Sequence, residues 1–251
     1  MNIIILCAGI GKRFHSKKPK SLTKIFNKPI IDHTLNSISK IKNYKKKIIF
    51  ATGYKENLIK KTTNKNYKYI FNSKYRSTNM VYTLINVLKK IKADNTIIIY
   101  GDIIFSYKDL QKIASSKKGI VTLLDFNWKK LWKTNNKIKY DLESLKILNK
   151  KIIYLGKKTN NIKNIDARYV GITKFSKKVI KKFLYLNKQK NFNQIDLKKI
   201  DMTNFLMELI RKNFVINFIK SKKNWYEFDN QKDLSIFKKK FKHPNINSFF
   251  N

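Results

Sequence analysis

The first twenty residues constrain the fold of this chain more than any other stretch. An apolar, mostly β-branched run at residues 3–8 is followed at once by Gly9 and Gly11. A short run of this kind, bounded by glycine, is typical of a buried parallel strand. Glycines just beyond a strand let the backbone turn sharply and approach a ligand, and the exposed N–H groups of such a turn can bind an anion. Arg13 and Lys20 add positive charge at the same end of the strand, so the segment predicts a phosphate-binding turn.

Glycine spacing alone leaves this interpretation open. A Rossmann dinucleotide fingerprint needs a third glycine where this chain has Phe14, and the P-loop pattern is absent. A plain tight turn in a basic protein, with no ligand, fits the spacing as well.

Downstream of the turn, apolar runs alternate with helical periodicity. Strands are predicted at 47–54, 68–71, 97–105 and 121–124, and helices at 30–41, 56–62 and from 77 onward. Alternation at these lengths predicts right-handed βαβ units, and hence an α/β fold with a mostly parallel, Rossmann-like sheet flanked by helices. Two further runs, 151–156 and 169–173, are predicted as strands of an insertion or a sheet edge.

Basic residues dominate the composition and are spread along the whole chain. The 251 residues include 57 lysines and arginines but only 15 acidic residues, a formal net charge of +42. Such a charge is compatible with nucleic-acid or acidic-membrane binding. No recognisable nucleic-acid module accompanies the lysines, so we expect no specific nucleic-acid partner, only a salt-sensitive attraction for anionic nucleotides.

The single cysteine and the short apolar runs are evidence about the cellular compartment of the protein. Cys7 alone excludes an intrachain disulfide, and its place on the predicted buried strand favours a small core residue over a nucleophile. No apolar run approaches the ~18 residues that a membrane span requires. A cytoplasmic protein without a membrane span is expected.

Two segments near the N-terminus resemble the signature of the nucleotidyltransferase superfamily. Residues 6–13, LCAGIGKR, and residues 18–22, KPKSL, match its L-A-A-G-x-G-x-R and P-K-x-L elements, with Cys7 in place of the usual alanine. Residues 27–31, NKPII, fit the segment that follows, with Asn27 in place of glycine.

The resemblance extends over nearly all of residues 2–236. It implies one nucleotidyltransferase domain over 1–251, with a sheet of the nucleotide-diphospho-sugar transferase type. It also implies a small inserted β/α subregion on the acceptor side at about 125–200. The tail at 242–251 is expected to be loose.

Asp102 is the first candidate metal ligand. It follows a β-branched run and a glycine, which places it at the carboxyl end of the sheet, where ligands of open parallel sheets bind. Mg²⁺ prefers oxygen and often binds through one or two carboxylates together with substrate phosphates. A turn-forming aspartate fits the position as well, but the superfamily resemblance implies a metal-binding aspartate after the central strand.

A second candidate lies near the C-terminus. Residues 225–234, WYEFDNQKDL, resemble the W-x-E-I-D-x-x-x-D-L ending of one branch of the superfamily, which implies that Asp229 is the other ligand of Mg²⁺. Glu227 and Asp229 share one face of a strand because side chains alternate with a period of two. Asp233 is expected to cap or begin the last helix.

Residues 76–84, RSTNMVYTL, are the most discriminating stretch. They resemble the T-N-N-I-Y-S-L segment of the phosphocholine and 2-aminoethylphosphonate cytidylyltransferases, although a plain capped helix start remains the alternative. The resemblance implies that the nucleotide is bound by Leu6, Ala8, Gly9, Gly11, Lys20, Gly53, Asn79 and Asp102.

The acceptor side is expected to combine aromatic and acidic side chains. The expected acceptor-binding residues are Asp125, Trp128, Trp132, Tyr169, Trp225 and Glu227. With Tyr226, the aromatic members could form a box that holds a quaternary ammonium group by cation–π attraction, although packing of the core explains each of them singly.

These features together predict a Mg²⁺-dependent cytidylyltransferase. CMP would pass from CTP to a small phosphorylated alkylammonium acceptor, phosphocholine first, with release of pyrophosphate; Arg13, Lys20 and Asp102 are the expected catalytic residues. 2-Aminoethylphosphonate or a sugar 1-phosphate are alternative acceptors. The alternative from another class is a basic nucleic-acid-binding protein on an inactive nucleotidyltransferase scaffold.

Overall fold

A computed structural model describes residues 1–14, 17–63, 66–129, 142–192, 195–222 and 225–241 of the chain. The expected loose tail at 242–251 lies outside these residues, as does part of the expected insertion.

The described residues form thirteen strands and seven α-helices. The strands are β1 (Asn2–Cys7), β2 (Lys24–Ile25), β3 (Lys28–Pro29), β4 (Lys47–Thr52), β5 (Lys68–Phe71), β6 (Thr96–Tyr100), β7 (Ile103–Phe105), β8 (Ile120–Asp125), β9 (Glu143–Leu148), β10 (Lys151–Lys158), β11 (Arg168–Phe175), β12 (Ile216–Lys220) and β13 (Trp225–Glu227). The helices are α1 (Ile30–Ser39), α2 (Glu56–Thr63), α3 (Met80–Lys90), α4 (Tyr107–Ser115), α5 (Lys177–Lys188), α6 (Met202–Arg211) and α7 (Gln231–Lys240). Short 3₁₀ helices cover Lys12–Phe14, Lys20–Leu22 and Ile162–Asn164.

Nine strands form one sheet in the order β5-β4-β1-β6-β11-β8-β12-β10-β9. The first four are mutually parallel, and β12 is parallel to β8. Within this sheet only β11 and β10 run against the other strands. The mostly parallel α/β sheet expected from the alternation of strands and helices is therefore confirmed.

Helices cover both faces of the sheet, and β1 is accordingly apolar on both of its sides. Ile4 belongs to a core cluster with residues of α3, α5 and α6, whereas Ile3 and Ile5 belong to a second cluster with residues of α1, α2 and α4. All three isoleucines are fully buried, as the period of two along a strand with two covered faces requires. Among the described residues, no helix combines the length and the apolar character needed to cross a membrane.

The position of β11 differs from the prediction. The run at 169–173 was expected at an edge or in an insertion, yet β11 lies between β6 and β8 at the centre of the sheet, with Thr173 opposite both Ile98 and Thr122. An apolar run is compatible with any buried position, so its place depends on pairing partners that are distant in the sequence. The run at 151–156 does lie near the edge, where β10 pairs with the outermost strand β9.

The predicted strand at 97–105 is divided between two sheets. Its first half is β6, and after a turn at Gly101 and Asp102 its second half, β7, pairs antiparallel with β13 in a separate two-stranded sheet. A Cβ on Gly101 would lie 2.7 Å from both Cys7 Sγ and Leu6 O, so only glycine lets the turn pass this close to β1. The division places Asp102 beside the chain segment that follows β13.

Candidate active site

A cleft, here named the first cleft, lies at the carboxyl ends of β1 and β6. Seven of the predicted nucleotide-binding residues line it: Leu6, Ala8, Gly9, Gly11, Lys20, Asn79 and Asp102. Other lining residues are Arg13, Tyr75, Thr78, Tyr100, Glu227 and Asp229. The cleft therefore joins segments from the two ends of the chain.

The glycine turn forms one wall of the first cleft. A Cβ on Gly9 would meet no heavy atom within 4 Å, so the backbone here faces open space that a ligand can approach. Gly11 has a φ of +68°, a conformation that glycine adopts at no steric cost, and it lies against the side chain of Lys20. The turn thus has the shape expected of an anion cradle.

Gly53 supports the turn from behind and does not line the cleft. It is buried, and a Cβ there would lie 2.7 Å from Ala8 O and 2.6 Å from Tyr75 Cβ. The neighbouring amide of Tyr54 donates to the same Ala8 oxygen at 3.1 Å. The structure thus places Gly53 behind the turn, where it positions the Ala8 backbone, and its contact with the nucleotide stays a prediction.

Three carboxylates meet at the mouth of the sheet. Asp102, Glu227 and Asp229 each present an oxygen within 4.8 Å of the others. The pairing of β7 with β13 brings them together: Phe228 N donates to Asp102 O at 3.1 Å, and its neighbours on either side are Glu227 and Asp229. We name these three residues the acid cluster.

Lys20 and Arg13 bind the acid cluster. Lys20 Nζ donates to Asp102 Oδ2 at 2.6 Å and to Asp229 Oδ1 at 3.2 Å, and Arg13 Nη2 reaches the same Asp229 oxygen at 3.4 Å. Burial by itself lowers the pKa of Lys20, but attraction to Asp102, Asp229 and Glu227 outweighs it and raises the pKa above its usual value. Lys20 is therefore a charged ammonium group held among carboxylates.

The chemistry of the acid cluster fits a divalent cation. Its donor set consists of carboxylate oxygens, which suit Mg²⁺, and a positively charged nitrogen already lies between two of them. Asp229 is 5% exposed, so its charge needs a cationic partner. Asp102, Glu227 and Asp229 are the residues that could hold the ion.

The start of α7 fixes the backbone of Asp229. Asp233 Oδ2 accepts from Asp229 N at 2.8 Å and from Asn230 N at 3.1 Å, while Asn230 Oδ1 accepts from Asp233 N at 3.1 Å. This reciprocal pair is a capping box with Asn230 as the N-cap and Asp233 in the first turn, in agreement with the prediction that Asp233 caps or begins the last helix. The helix cap thus also positions a member of the acid cluster.

A second cleft adjoins the first. It is lined by Glu143, Ser144, Leu145, Leu155, Gly156, Ala167, Arg168, Tyr169, Asp201 and Thr203, and it shares Arg13, Met80, Tyr100, Glu227 and Asp229 with the first cleft. The two clefts therefore meet at the acid cluster.

Two tyrosines form part of the wall of the second cleft. The rings of Tyr100 and Tyr169 meet edge to face with centroids 5.8 Å apart, and Tyr169 OH lies 3.0 Å from Thr173 Oγ1. Burial, then the nearby Tyr169 and the acidic side chains Glu227, Asp201 and Glu143, raise the pKa of Tyr100 well above its usual value. Burial thus contributes most to the shift, and three acidic side chains near Tyr100 add to it.

Several predicted acceptor residues lie away from both clefts. Trp128 and Trp225 are 1% and 3% exposed within one core cluster, and Trp225 Nε1 donates to the buried Asp125 Oδ2 at 3.1 Å. Tyr226 is buried in a different core cluster, with Phe228 and Phe237. The structure thus places Asp125, Trp128 and Trp225 in the core and not at the clefts, contrary to their expected position on the acceptor side, because burial of the large aromatic rings stabilises the hydrophobic interior. Trp132 lies outside the described residues.

The remaining predicted residues lie in or beside the clefts. Tyr169 and Glu227 line the second cleft. Asn79 lines the first cleft, and its side-chain oxygen caps α3 by accepting a hydrogen bond from Met80 N at 2.7 Å. Its Nδ2 donates a hydrogen bond to Lys199 O at 3.0 Å. Asn79 thus joins the start of α3 to the segment that leads into α6.

Three residues without a role predicted from the sequence, Glu143, Arg168 and Asp201, line the second cleft. Arginine and acidic residues are scarce in this sequence, and that scarcity could have identified the three positions. The chain has only four arginines and 15 acidic residues, so a polar position that holds arginine or an acidic residue in place of the common lysine is unusual.

Cys7 lies in the wall between turn and sheet as a buried core residue. Burial raises the pKa of its thiol to about 12. A thiol in this state is not a nucleophile at neutral pH, as the sequence indicated.

Comparison with known proteins places the chain among nucleotidyltransferases. A family model described as the MobA-like NTP transferase domain matches residues 3–122. The chain is 36% identical over 188 residues to the CTP:phosphoglutamine cytidylyltransferase of Campylobacter jejuni, a match that covers 70% of this chain and 73% of that protein. It is 34% identical over 129 residues to the bifunctional protein GlmU of Thermosipho melanesiensis, covering 49% of this chain and 27% of that protein.

Solved structures share the fold. The inositol-1-phosphate CTP transferase of T. maritima superposes with a TM-score of 0.69 at 15% identity, over 94% of this chain and 96% of that one. The CTP:phosphocholine cytidylyltransferase of Streptococcus pneumoniae superposes with a TM-score of 0.67 at 17% identity, over 95% and 97%. At these identities the likeness shows the fold, and it confirms the sheet type expected from the sequence.

Proposed function

This chain belongs to the nucleotidyltransferase superfamily and carries a MobA-like NTP transferase domain, and from that premise we propose that it transfers CMP from CTP to a small phosphorylated acceptor. The observation that carries the proposal is the meeting of two clefts at one acid cluster, beside a glycine turn that can cradle phosphates. The relative from Campylobacter jejuni supports the choice of CTP, because its name specifies that nucleotide.

The proposed reaction is an in-line displacement at the α-phosphorus of CTP. A phosphate oxygen of the acceptor forms the new bond to the α-phosphorus, and the bond to pyrophosphate breaks. No covalent enzyme intermediate is needed, so catalysis rests on positioning and on neutralising charge. The first cleft would hold CTP and the second cleft the acceptor.

The chain's own residues would supply part of the positive charge. Lys20 and Arg13, which contact the acid cluster, would stabilise negative charge on the α-phosphate and on the leaving pyrophosphate. The exposed N–H groups around Gly9 would bind the phosphates of CTP. Mg²⁺ at Asp102 and Asp229, with Glu227 beside them, would orient the reacting phosphates and neutralise charge that develops during the transfer.

The acceptor is proposed to carry an amino or ammonium group. Glu143, Asp201 and Glu227 make the second cleft acidic despite the basic chain, which suits a cationic group on the acceptor. Phosphoglutamine is the acceptor in the name of the Campylobacter jejuni relative, and a primary amine can donate hydrogen bonds to carboxylates. Phosphocholine is the second candidate, favoured by the aromatic pair of Tyr100 and Tyr169.

Release of pyrophosphate over a grid of nucleotides and acceptors tests the proposal. We expect release with CTP and a phosphorylated amino compound, dependent on Mg²⁺. Lys20→Ala and Asp102→Ala should each lower kcat by about 10²-fold or more, with circular dichroism unchanged. Lys24→Ala, at an exposed position of β2, is the matched control and should leave kcat unchanged. Near-normal rates in either site variant would show that the residue has no such role.

A further inference from the structure

Lys20 binds the same carboxylates that would hold a divalent cation. Its Nζ donates to Asp102 Oδ2 at 2.6 Å and to Asp229 Oδ1 at 3.2 Å. Mg²⁺ binds carboxylate oxygens at about 2.1 Å, so an ion on Asp102 Oδ2 could lie no more than about 5 Å from Lys20 Nζ. The ammonium group and the ion would repel each other over this distance and would compete for the two aspartates.

The burial of these three side chains strengthens the competition. Lys20, Asp102 and Asp229 have side chains that are 16%, 21% and 7% exposed, and charges so placed are screened only weakly by water and salt. Arg13 also contacts Asp229, at 3.4 Å, but its side chain is 70% exposed, so water screens its charge. Of these two cationic residues, Lys20 would therefore compete more strongly with a metal ion.

The glycine turn gives Lys20 a second set of partners within reach. A Cβ on Gly11 would be 3.5 Å from Lys20 Cγ, so the side chain of Lys20 lies along the turn. Its four-carbon stem is flexible, and Nζ can move by several ångströms, about the length of two bonds, while the backbone stays in place. Gly9 faces the open space proposed for the phosphates of CTP. A phosphate there would offer Nζ anionic oxygens in exchange for the carboxylates.

We propose that Lys20 is a placeholder cation: without nucleotide it takes the place of the divalent ion on Asp102 and Asp229, and a triphosphate in the first cleft draws it away. The inference rests on the proposed function for the identity of that triphosphate. Metal ion and nucleotide then bind cooperatively, because each favours the position of Lys20 away from the aspartates. The buried carboxylates thereby keep a cationic partner at every stage.

Replacement of Lys20 should change the affinities for metal and nucleotide in opposite directions. Mn²⁺, which shares the octahedral oxygen coordination of Mg²⁺, can be counted by electron paramagnetic resonance without turnover. Nucleotide-free Lys20→Met should bind Mn²⁺ about 10-fold more tightly than the wild type. In EDTA, the α,β-methylene analogue of CTP should bind Lys20→Met about 10-fold more weakly, because its phosphates lose a cationic partner. A merely structural role for Lys20 would weaken both.

Two further variants separate competition at the site from a general effect of charge. Lys20→Arg keeps a cation beside the acid cluster and should bind Mn²⁺ within about three-fold of the wild type. Lys146→Met removes a lysine that pairs with Asp166 at 3.2 Å outside both clefts, so it should leave both affinities unchanged. Equal Mn²⁺ affinity in the wild type and Lys20→Met, or the same increase in Lys146→Met, would overturn the inference.

The wild-type protein decides the outcome if Lys20→Met does not fold. Without nucleotide it should bind Mn²⁺ with a Kd weaker than about 100 μM, because the ion must displace Lys20, and a tighter Kd would overturn the inference.

The two proposals fail differently. Absence of pyrophosphate release with every nucleotide and acceptor would overturn the proposed function, whereas the competition between Lys20 and Mn²⁺ is still decided in the nucleotide-free protein. Pyrophosphate release together with equal Mn²⁺ affinity in the wild type and Lys20→Met would overturn the inference alone.

Discussion

At the scale of single residues, the site depends on one cation shared by two carboxylates. Lys20 lies at 2.6 Å from Asp102 and 3.2 Å from Asp229, and its raised pKa keeps it charged at neutral pH. The superfamily motifs predicted Lys20 and both aspartates at the site. Glu227 was predicted to bind the acceptor, and the structure places it in the acid cluster as well as in the second cleft.

Glu227 is expected to contribute to metal binding. In Glu227→Gln the cluster loses one negative charge, so the Mg²⁺ concentration that gives half-maximal activity should rise by about 10-fold or more. Isothermal titration with Mg²⁺ alone provides a readout independent of turnover. Asp94→Asn removes a carboxylate at the opposite end of β6 and should leave both values unchanged. A Glu227→Gln protein with unaltered metal affinity would remove Glu227 from the cation site.

Alanine substitutions at two glycines near the site should have different effects, one on stability and the other on nucleotide binding. Gly53→Ala forces a Cβ against Ala8 O and Tyr75, so it should lower the free energy of unfolding by about 1–3 kcal/mol. The Cβ of Gly9→Ala would contact no protein atom, so the free energy of unfolding should change by less than about 0.5 kcal/mol. The KM for CTP should nevertheless rise about 10-fold, because the new methyl group enters the space proposed for the phosphates. Urea unfolding and steady-state kinetics measure the two effects. A stable Gly9→Ala protein with unchanged KM would place the phosphates elsewhere.

At the scale of elements, the small sheet of β7 and β13 builds the site. Each strand has three residues, and their pairing joins Asp102 to Asp229 across more than half of the chain length. Packing stabilises the pairing, because Ile104, Tyr226 and Phe228 are buried against Phe237 of α7. Sequence patterns identified both segments as extended, but neither pattern specified the partner, since three-residue strands carry too little periodicity to define a register.

The capping box of α7 is expected to couple helix stability to activity. Asn230→Ala and Asp233→Ala should each lower the free energy of unfolding by about 1–2 kcal/mol through loss of the cap. Asp233 also accepts from Asp229 N at 2.8 Å, so Asp233→Ala alone should lower kcat further, by about 10-fold, through misplacement of Asp229. Denaturant unfolding and pyrophosphate release at saturating substrates separate the two effects. Equal kcat in the two variants would mean that the cap does not position the acid cluster.

At the scale of the whole molecule, charge is distributed unevenly. The chain carries +42 overall, yet four of its 15 acidic residues, Glu143, Asp201, Glu227 and Asp229, line the second cleft. A positive surface attracts anionic nucleotides to the molecule as a whole, and under the proposed function the acidic pocket would select a cationic group on the acceptor. Lysine-rich composition explains the surface, and the pocket is the exception to it.

Salt should weaken nucleotide capture without abolishing catalysis. Between about 50 and 300 mM NaCl, KM for CTP should rise several-fold while kcat stays within about two-fold, because screening acts on long-range attraction more than on contacts inside the cleft. A random DNA duplex should bind only at the low end of this range and should not inhibit CMP transfer at about 150 mM. DNA binding that persists at high salt, with no pyrophosphate release, would favour the nucleic-acid-binding alternative.

Local patterns in the sequence were sufficient for the strand–turn motif at 3–13, the alternation of strands and helices, and the position of Asp102 after β6. Each of these depends on residues close together in the chain, where hydrophobic periodicity and glycine's backbone freedom act directly. Only the tertiary structure placed β11 at the centre of the sheet, buried Trp128 and Trp225 away from the clefts, and gathered Glu143, Arg168 and Asp201 around one cavity. These outcomes depend on which distant segments pair and pack. The contacts of the whole core together determine that pairing, and no single local pattern in the sequence specifies it.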